Sequence, residues 1–481
     1  MTDHHGYSSL AMFVGPDEIT AGARNSLPVI NPADGETIAQ LPLAQASDLD
    51  AAITAAGKAF ASWSAVSPAE RGRILKKAAD LIRERIEKIA MVMTLEQGKP
   101  LAEARAEIHY GANVIEWYAE EGKRAYGRII PSSSPEVRHL VIKEPVGVCA
   151  AFTPWNFPAL TPCRKIGGAL AAGCTLVLKA AEETPGTAVE IARALFDAGL
   201  PRGALNLVFG DPAAVSAHLI ASPQVRKVSF TGSVPVGKIL MRLAADGAKR
   251  TTMELGGHAP VIVFADADVD RAAAILAASK FRNAGQVCIS PTRFYIEKPV
   301  YERFVDRFAA FAKVLKVGEG VQPDTGMGPL ANERRVAEME RFVADAVEKG
   351  ARVEAGGRRI GNKGCFYEPT VLSNVRDDAL IMNEEPFGPV APVSSFSDFD
   401  EVMARANGLP FGLAAYAFTS SNKTAMRASA QLKSGMVGLN TMAISSPETP
   451  FGGVKESGHG QEGGAEGLEA YLDVKLVAQG E

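Results

Sequence analysis

Between residues 146 and 256 the chain repeats one pattern. Short β-rich runs (VGVCAAF, CTLVLKA, LNLVFG, KVSFTG and TTMEL) alternate with helical stretches such as TAVEIARALFDAGL and PVGKILMRLAADGA. This alternation predicts a parallel sheet with helices on its faces. Ligands of such sheets bind beyond the carboxyl ends of the strands. The residues that follow each run are therefore where chemistry is expected. A second alternating block runs from about 257 to 456 and includes APVIVFADADVD, RFYIEKPV, FGLAAYAFTS and GMVGLN. It predicts another α/β domain.

The rest of the chain reads differently. At 481 residues a single core is not expected, and length alone suggests roughly two to four domains. The first 125 residues read as mostly helical. In SPAERGRILKKAADLIRERIEKIA, Ser67 can cap, Pro68 fits the first helical position and Glu70 completes a capping box. Ile74, Leu75, Ala78, Leu81, Ile82, Ile86 and Ile89 then recur at helical spacing, and Gly98 and Pro100 mark the exit. RIIPSSSPEVRHLVIK reads as two strands around a Pro/Ser turn. A lone hairpin is marginal in water, so this one should pair with something else. A second subunit and the strand-like tail LEAYLDVKLVAQ are the candidates.

Composition removes several function classes. The net charge of −4 gives no basic field to hold a phosphate backbone, so no nucleic-acid partner is expected. Five cysteines without a CxxC pair suit a reducing cytoplasm better than a disulfide scaffold. The seven histidines form no metal-ligating spacing, so no metal site is expected. No run of about 18 apolar residues occurs, and the N-terminus lacks the basic and apolar regions of a signal peptide. The expectation is a cytoplasmic protein without a membrane partner.

Three segments follow strand-like runs: TPWNFP with Asn156, KAAEETP with Lys179 and Glu182, and FTGSVPVGK with Gly232, Ser233 and Gly237. The third matches G-x-x-x-x-G-K. Ile239 stands where a phosphate loop needs Ser or Thr for magnesium, and Pro235 removes a backbone donor. A nucleoside triphosphatase is thus a weak alternative. The glycines still allow close approach to a pyrophosphate at a helix N-terminus, and they equally suit an ordinary tight turn. Lys179 and Glu182 can hold the hydroxyls of a ribose. A carboxylate there repels a 2′-phosphate and favours NAD over NADP. Glu254 closes an apolar strand, where lost solvation raises a carboxyl pKa toward that of a useful base. Buried structural glutamates occur in the same setting. Finally, KFRNAGQVCISPTR places Cys288 in small, polar company, with Arg282 six residues before it.

TPWNFP, KAAEETP, FTGS, MELGG, GQVC, EEPFGPV and PFGGVKESG occur in that order. Together they resemble the aldehyde dehydrogenase superfamily over residues 25 to 477. The match is closest to the succinate-semialdehyde and 2-oxoglutarate-semialdehyde dehydrogenases. The resemblance implies an aldehyde dehydrogenase fold of three parts. Residues 1–123 and 146–256 would form a Rossmann-like NAD-binding domain, and 257–456 an α/β catalytic domain. Residues 124–145 and 457–481 would form an oligomerisation hairpin and tail, in a homodimer or homotetramer.

The same resemblance implies site roles. Cys288 is the nucleophile, and Asn156 with the Cys288 backbone N–H forms the oxyanion hole, worth roughly 3 kcal/mol per donor. Glu254 activates the water that hydrolyses the thioester; CoA-acylating relatives lack this glutamate. Lys179 joins the catalytic set. Thr153, Pro154, Trp155, Lys179, Glu182, Gly210, Gly232, Ser233, Gly237 and Leu255 bind the cofactor, NAD with NADP as the alternative, and of these Lys179, Glu182 and Ser233 hold its adenosine and pyrophosphate end. Glu385 and Phe387 hold the nicotinamide ribose and ring. Arg164 and Arg282 match arginines that grip a distal carboxylate, since a guanidinium fork suits that group. Alone, each would read as a structural ion pair. Ser445 or Ser446 adds a hydrogen bond, and Trp155, Phe157 and Phe451 line the tunnel. A small-molecule semialdehyde is the implied substrate. Glutarate semialdehyde, an uncharged aldehyde and a catalytically silent scaffold are the alternatives. Two departures matter. Ser290 replaces a second, redox-active cysteine, and Ala180 replaces a proline after the lysine.

Overall fold

The computed structural model describes residues 7–480. Residues 1–6, the start of the stretch read as lacking a signal peptide, and residue 481 lie outside the described part. The five runs between 146 and 256 all become strands: Val148–Phe152, Thr175–Lys179, Leu205–Val208, Val225–Gly232 and Arg250–Leu255. They pair in parallel within an eight-stranded sheet. Val148–Phe152 lies at its centre, with Thr175–Lys179 on one side and Val225–Gly232 on the other. Chain order reverses between those two neighbours. A crevice therefore opens beyond the carboxyl ends of the strands, as at the switch point of doubly wound sheets.

The N-terminal quarter differs from its helical reading. Ala11–Val14 and Asp17–Thr20 add antiparallel strands to the edge of this sheet, and Ser26–Ile30 pairs with Thr37–Pro42 in a separate hairpin. Asp17–Thr20 and Ser26–Ile30 are mostly exposed and lack the continuous apolar run that marks the central strands. Ser67 caps the Pro68–Glu84 helix by accepting from the Glu70 N–H, but no reciprocal bond closes the box. The Glu70 carboxylate instead pairs with Arg73. The apolar stripe also crosses a break: Arg85 leaves helical geometry, and a second helix runs Ile86–Gln97 to a left-handed Gly98.

The second alternating block forms a seven-stranded sheet of its own around Ala259–Val263, Pro291–Glu297 and Val390–Phe396. One apolar core spans residues 10 to 255, and a second spans 259 to 432. The C-terminal stretch does not stay with the hairpin throughout. Gly458–His459 pairs with Met253–Glu254 in the first sheet, and Leu468, Tyr471 and Leu472 join the first core. Only then does Leu472–Gly480 pair antiparallel with Val137–Pro145, which in turn pairs with Arg128–Ile130. Among the described residues no helix is long and apolar enough to cross a membrane.

Candidate active site

A cavity of about 560 Å³ opens where the two sheets meet. The first sheet supplies Thr231 and Glu254, the second supplies Cys288 and Tyr416, and the Leu160–Ala172 helix supplies Arg164. Glu254 stands at the carboxyl end of its strand, as the parallel-sheet rule expects. Cys288 does not: its loop precedes the Pro291–Glu297 strand. The nucleophile thus arrives from the amino end of one sheet onto the carboxyl ends of the other.

That loop is held in an unusual shape. Asn283, Ala284 and Gly285 have φ of 51°, 52° and 74°. Three successive residues in the left-handed region are strained and need outside support. Asn283 receives it. Its N–H donates to Glu103 Oε2 at 2.8 Å, and Gln97 Nε2 donates to its Oδ1 at 2.9 Å. Its own Nδ2 donates to the carbonyls of Asn156 and Gln286 at 3.0 and 3.1 Å. On the far side of Cys288, the Tyr416 hydroxyl donates to the Ile289 carbonyl at 2.7 Å.

Asn156 is fixed by the same frame. Its carbonyl also accepts from Lys99 Nζ at 2.9 Å, and its Nδ2 donates to Gln286 O at 3.1 Å. Lys99 is buried, ion-paired with Glu107, and 4.4 Å from the centre of the Phe157 ring. Glu107 Oε1 accepts from the Ala159 and Leu160 N–H groups, capping the helix that carries Arg164. Lys99, Glu107, Asn283 and Glu462 were not singled out in the sequence. QGKP and HGQEGG carry no spacing that points to a site, because their partners come from distant segments.

Electrostatics at the two reacting groups run against ionisation. Burial pushes the Cys288 thiol up to about 12, Glu385 and Glu254 add to this, and Arg164 opposes it. Glu254 is buried, and neither carboxylate oxygen accepts a hydrogen bond from the protein. Burial first, then the Glu462 carboxylate, hold its pKa well above the usual range, against Lys165 and Arg164. Lys165 donates to Glu462 at 2.5 Å directly behind it.

The predicted anion-binding residues gather on the same cavity. Arg164, Arg282, Phe157, Ser445 and Phe451 all line it, as does Ser290. Arg164 Nη2 donates to Ser445 Oγ at 2.8 Å, and its guanidinium lies 3.9 Å from the Phe451 ring centre. Arg282 is exposed and stands over Phe157. Ser446, the other serine considered, bonds Thr449 instead and does not line the cavity. Trp155 also stands off the cavity lining, packed edge-to-face on Phe387.

The remaining residues surround the crevice. Lys179, placed in the catalytic set, stands off the cavity and donates to Glu182 at 2.6 Å; Glu182 also accepts from the Gly210 N–H at 3.2 Å. Thr153 and Pro154 follow the central strand, and the Thr153 N–H donates to the Lys179 carbonyl. Ser233 opens the Val234–Ala245 helix just beyond Gly232. A Cβ on Gly237 would lie 2.4 Å from Leu255, so only glycine lets this helix press on the Glu254 strand. That close helix–strand packing, with free N–H groups at the helix start, suits a dinucleotide pyrophosphate. Glu385 Oε1 accepts from the Gly257 N–H at 3.1 Å, and burial raises its carboxyl to about 7.

Half-buried Cys288 and buried Glu254 share one cavity, and Asn156, off its lining, is tied to Gln286 in the loop just before Cys288. The chain belongs to the aldehyde dehydrogenase family, whose model matches residues 19–477. It is 50% identical over 451 residues to a putative 4-(hydroxymethyl)benzenesulfonate dehydrogenase of Comamonas testosteroni, covering 94% of each chain. It is 46% identical over 462 residues to the succinate-semialdehyde dehydrogenase [NADP(+)] of Escherichia coli, covering 96% of each. The crystal structure of succinate-semialdehyde dehydrogenase from Burkholderia pseudomallei superposes with a TM-score of 0.97 at 44% identity, covering 100% of both chains. The fold is the aldehyde dehydrogenase fold.

Proposed function

We propose that this protein oxidises an aldehyde with a distal carboxylate to the dicarboxylic acid, succinate semialdehyde and 2-oxoglutarate semialdehyde being the first candidates. The observation that carries this is the shared cavity: two guanidinium groups, Arg164 and Arg282, line the same space as Cys288 and Glu254. The first sheet takes the dinucleotide, the second carries the nucleophile, and the three-stranded sheet joins copies of the chain.

The Cys288 sulfur attacks the aldehyde carbon as its proton passes to solvent, and Glu254, with unclaimed lone pairs, stays available for the hydrolytic step. The carboxamide nitrogen of Asn156 has two hydrogens, of which Gln286 O takes one. The other, with the Cys288 N–H, is available to the oxyanion. NAD, when bound, supplies the hydride acceptor. Glu254 then takes a proton from water as the water oxygen attacks the thioester carbonyl. The C–S bond breaks, the Glu254 proton passes to the Cys288 sulfur, and a free acid leaves without CoA. Glu182 favours NAD, because a carboxylate paired with Lys179 just beyond a parallel strand would oppose a 2′-phosphate. The Escherichia coli relative bears NADP(+) in its name.

A second reading replaces the carboxylate by a sulfonate. The Comamonas relative favours it, and guanidinium donors accept either anion. The deciding experiment compares kcat/KM for four- and five-carbon semialdehydes, a sulfonated aldehyde and propanal, each with NAD and NADP. Propanal matching the anions would sink the arginine reading. No reduced dinucleotide from any aldehyde would make the chain a silent scaffold.

A further inference from the structure

Tyr110 stands on the Leu101–Glu121 helix and lines the cavity, and neither the strand ends nor the motifs point to it. Its hydroxyl lies 2.8 Å from Ser445 Oγ. Arg164 Nη2 donates to Ser445 Oγ at 2.8 Å and approaches the Tyr110 oxygen at 3.5 Å. Counting hydrogens is informative here. Two hydroxyls have two O–H hydrogens between them. The contact between them uses one. Among the described residues neither oxygen donates to anything else. One O–H is left over, on the cavity wall, beside a guanidinium.

That leftover donor has a preferred partner. The Phe451 ring covers one face of the Arg164 guanidinium, so its edges are what it offers to hydrogen bonds. An anion reaching this corner would accept from the guanidinium edge and from the spare hydroxyl together. A methyl end would accept from neither. We propose that Tyr110 is a specificity-determining residue: with Ser445 it forms a hydroxyl pair whose free hydrogen donates to the substrate's distal anion beside Arg164. This rests on the anionic-aldehyde reading above and names the neutral donor that completes it. Because the two hydroxyls share one hydrogen bond, they act as one unit, and their losses are not additive.

The test measures steady-state kinetics on succinate semialdehyde and butanal, with saturating NAD and NADP in parallel. The proteins are wild type, Tyr110→Phe, Ser445→Ala, the double variant and Arg164→Met. Each single variant still leaves one unshared O–H, so Tyr110→Phe and Ser445→Ala are each expected to lower the acid-over-butanal ratio of kcat/KM by no more than about threefold. The double variant removes the last O–H and is expected to lower the ratio well beyond the product of the two single losses, about thirtyfold, through KM rather than kcat. A double loss no larger than that product would overturn the proposal. So would an equal loss on both aldehydes, or a loss carried by kcat, either of which would show Tyr110 to be structural support only. If Arg164→Met abolishes the preference while the double variant retains it, the Tyr110 proposal fails alone. If Arg164→Met also retains it, the anionic-aldehyde reading fails first. Should the double variant not fold, Tyr110→Leu with Ser445→Ala carries the same ratio test.

Discussion

At the residue scale the site is built from groups that resist charging. A thiol pushed up to about 12 is almost wholly protonated at neutral pH, and its neighbour Glu254 is raised as well. Both shifts have burial as their largest cause. The ligand-free enzyme should therefore alkylate slowly with iodoacetamide, at a rate that climbs with pH across the range the fold tolerates. Arg164→Met should slow it further, because Arg164 opposes the upward shift. For Glu254 the sign is equally definite. A base must be ionised, so thioester hydrolysis should rise as pH rises through its elevated pKa. Glu462→Gln removes a like charge and should move that limb to lower pH. Glu254→Gln should give a burst of reduced dinucleotide stoichiometric with sites, then turnover lowered about 100- to 10,000-fold. Cys288, Glu254 and Arg164 were expected at one site because each sits in a motif or beside a strand end, and all three line the same cavity, while Asn156 is tied to the loop before Cys288. Lys99, Tyr110 and Glu462 were not. Their partners lie 57, 335 and 297 positions away, and no local pattern encodes such pairings.

At the scale of elements, the strand–helix alternation predicted the central sheet well, because parallel buried strands are continuous apolar runs. The strands before residue 43 escaped; of these, Asp17–Thr20 and Ser26–Ile30 are mostly exposed and carry no continuous apolar run. The left-handed turn before Cys288 was also invisible, apart from its one glycine. That glycine is decisive. Gly285 has φ of 74°, and a Cβ there would lie 2.1 Å from the Gly388 carbonyl. The contact presses the nucleophile loop against the loop that carries Glu385. Gly285→Ala should misplace both and cost about a hundredfold in kcat/KM. Ser67→Ala, remote from the site, should cost about 1 kcal/mol in chemical denaturation and leave kinetics alone, since it removes only a helix cap.

At the scale of the whole molecule, the three-stranded sheet is the part without a core of its own. Ile129, Val474 and Leu476 are 71%, 65% and 62% exposed. A solvated sheet with apolar side chains on show is a surface meant to be covered. Replacing Val474 and Leu476 together by lysine should shift sedimentation toward a single chain, with the secondary structure retained. An unchanged sedimentation coefficient would show that this sheet holds no second copy of the chain.

The path of the C-terminal stretch has a consequence for synthesis. Gly458–His459 closes the edge of the first sheet, Ser457 donates to the Gly256 carbonyl 201 positions earlier, and Glu462 completes the cavity wall. Domains generally begin to fold from the N-terminal side while translation proceeds. Both sheets of a nascent chain can therefore form around a pocket that still lacks one side. A chain cut before these residues would lack one wall of the cavity and the part of the first core that Leu468, Tyr471 and Leu472 supply.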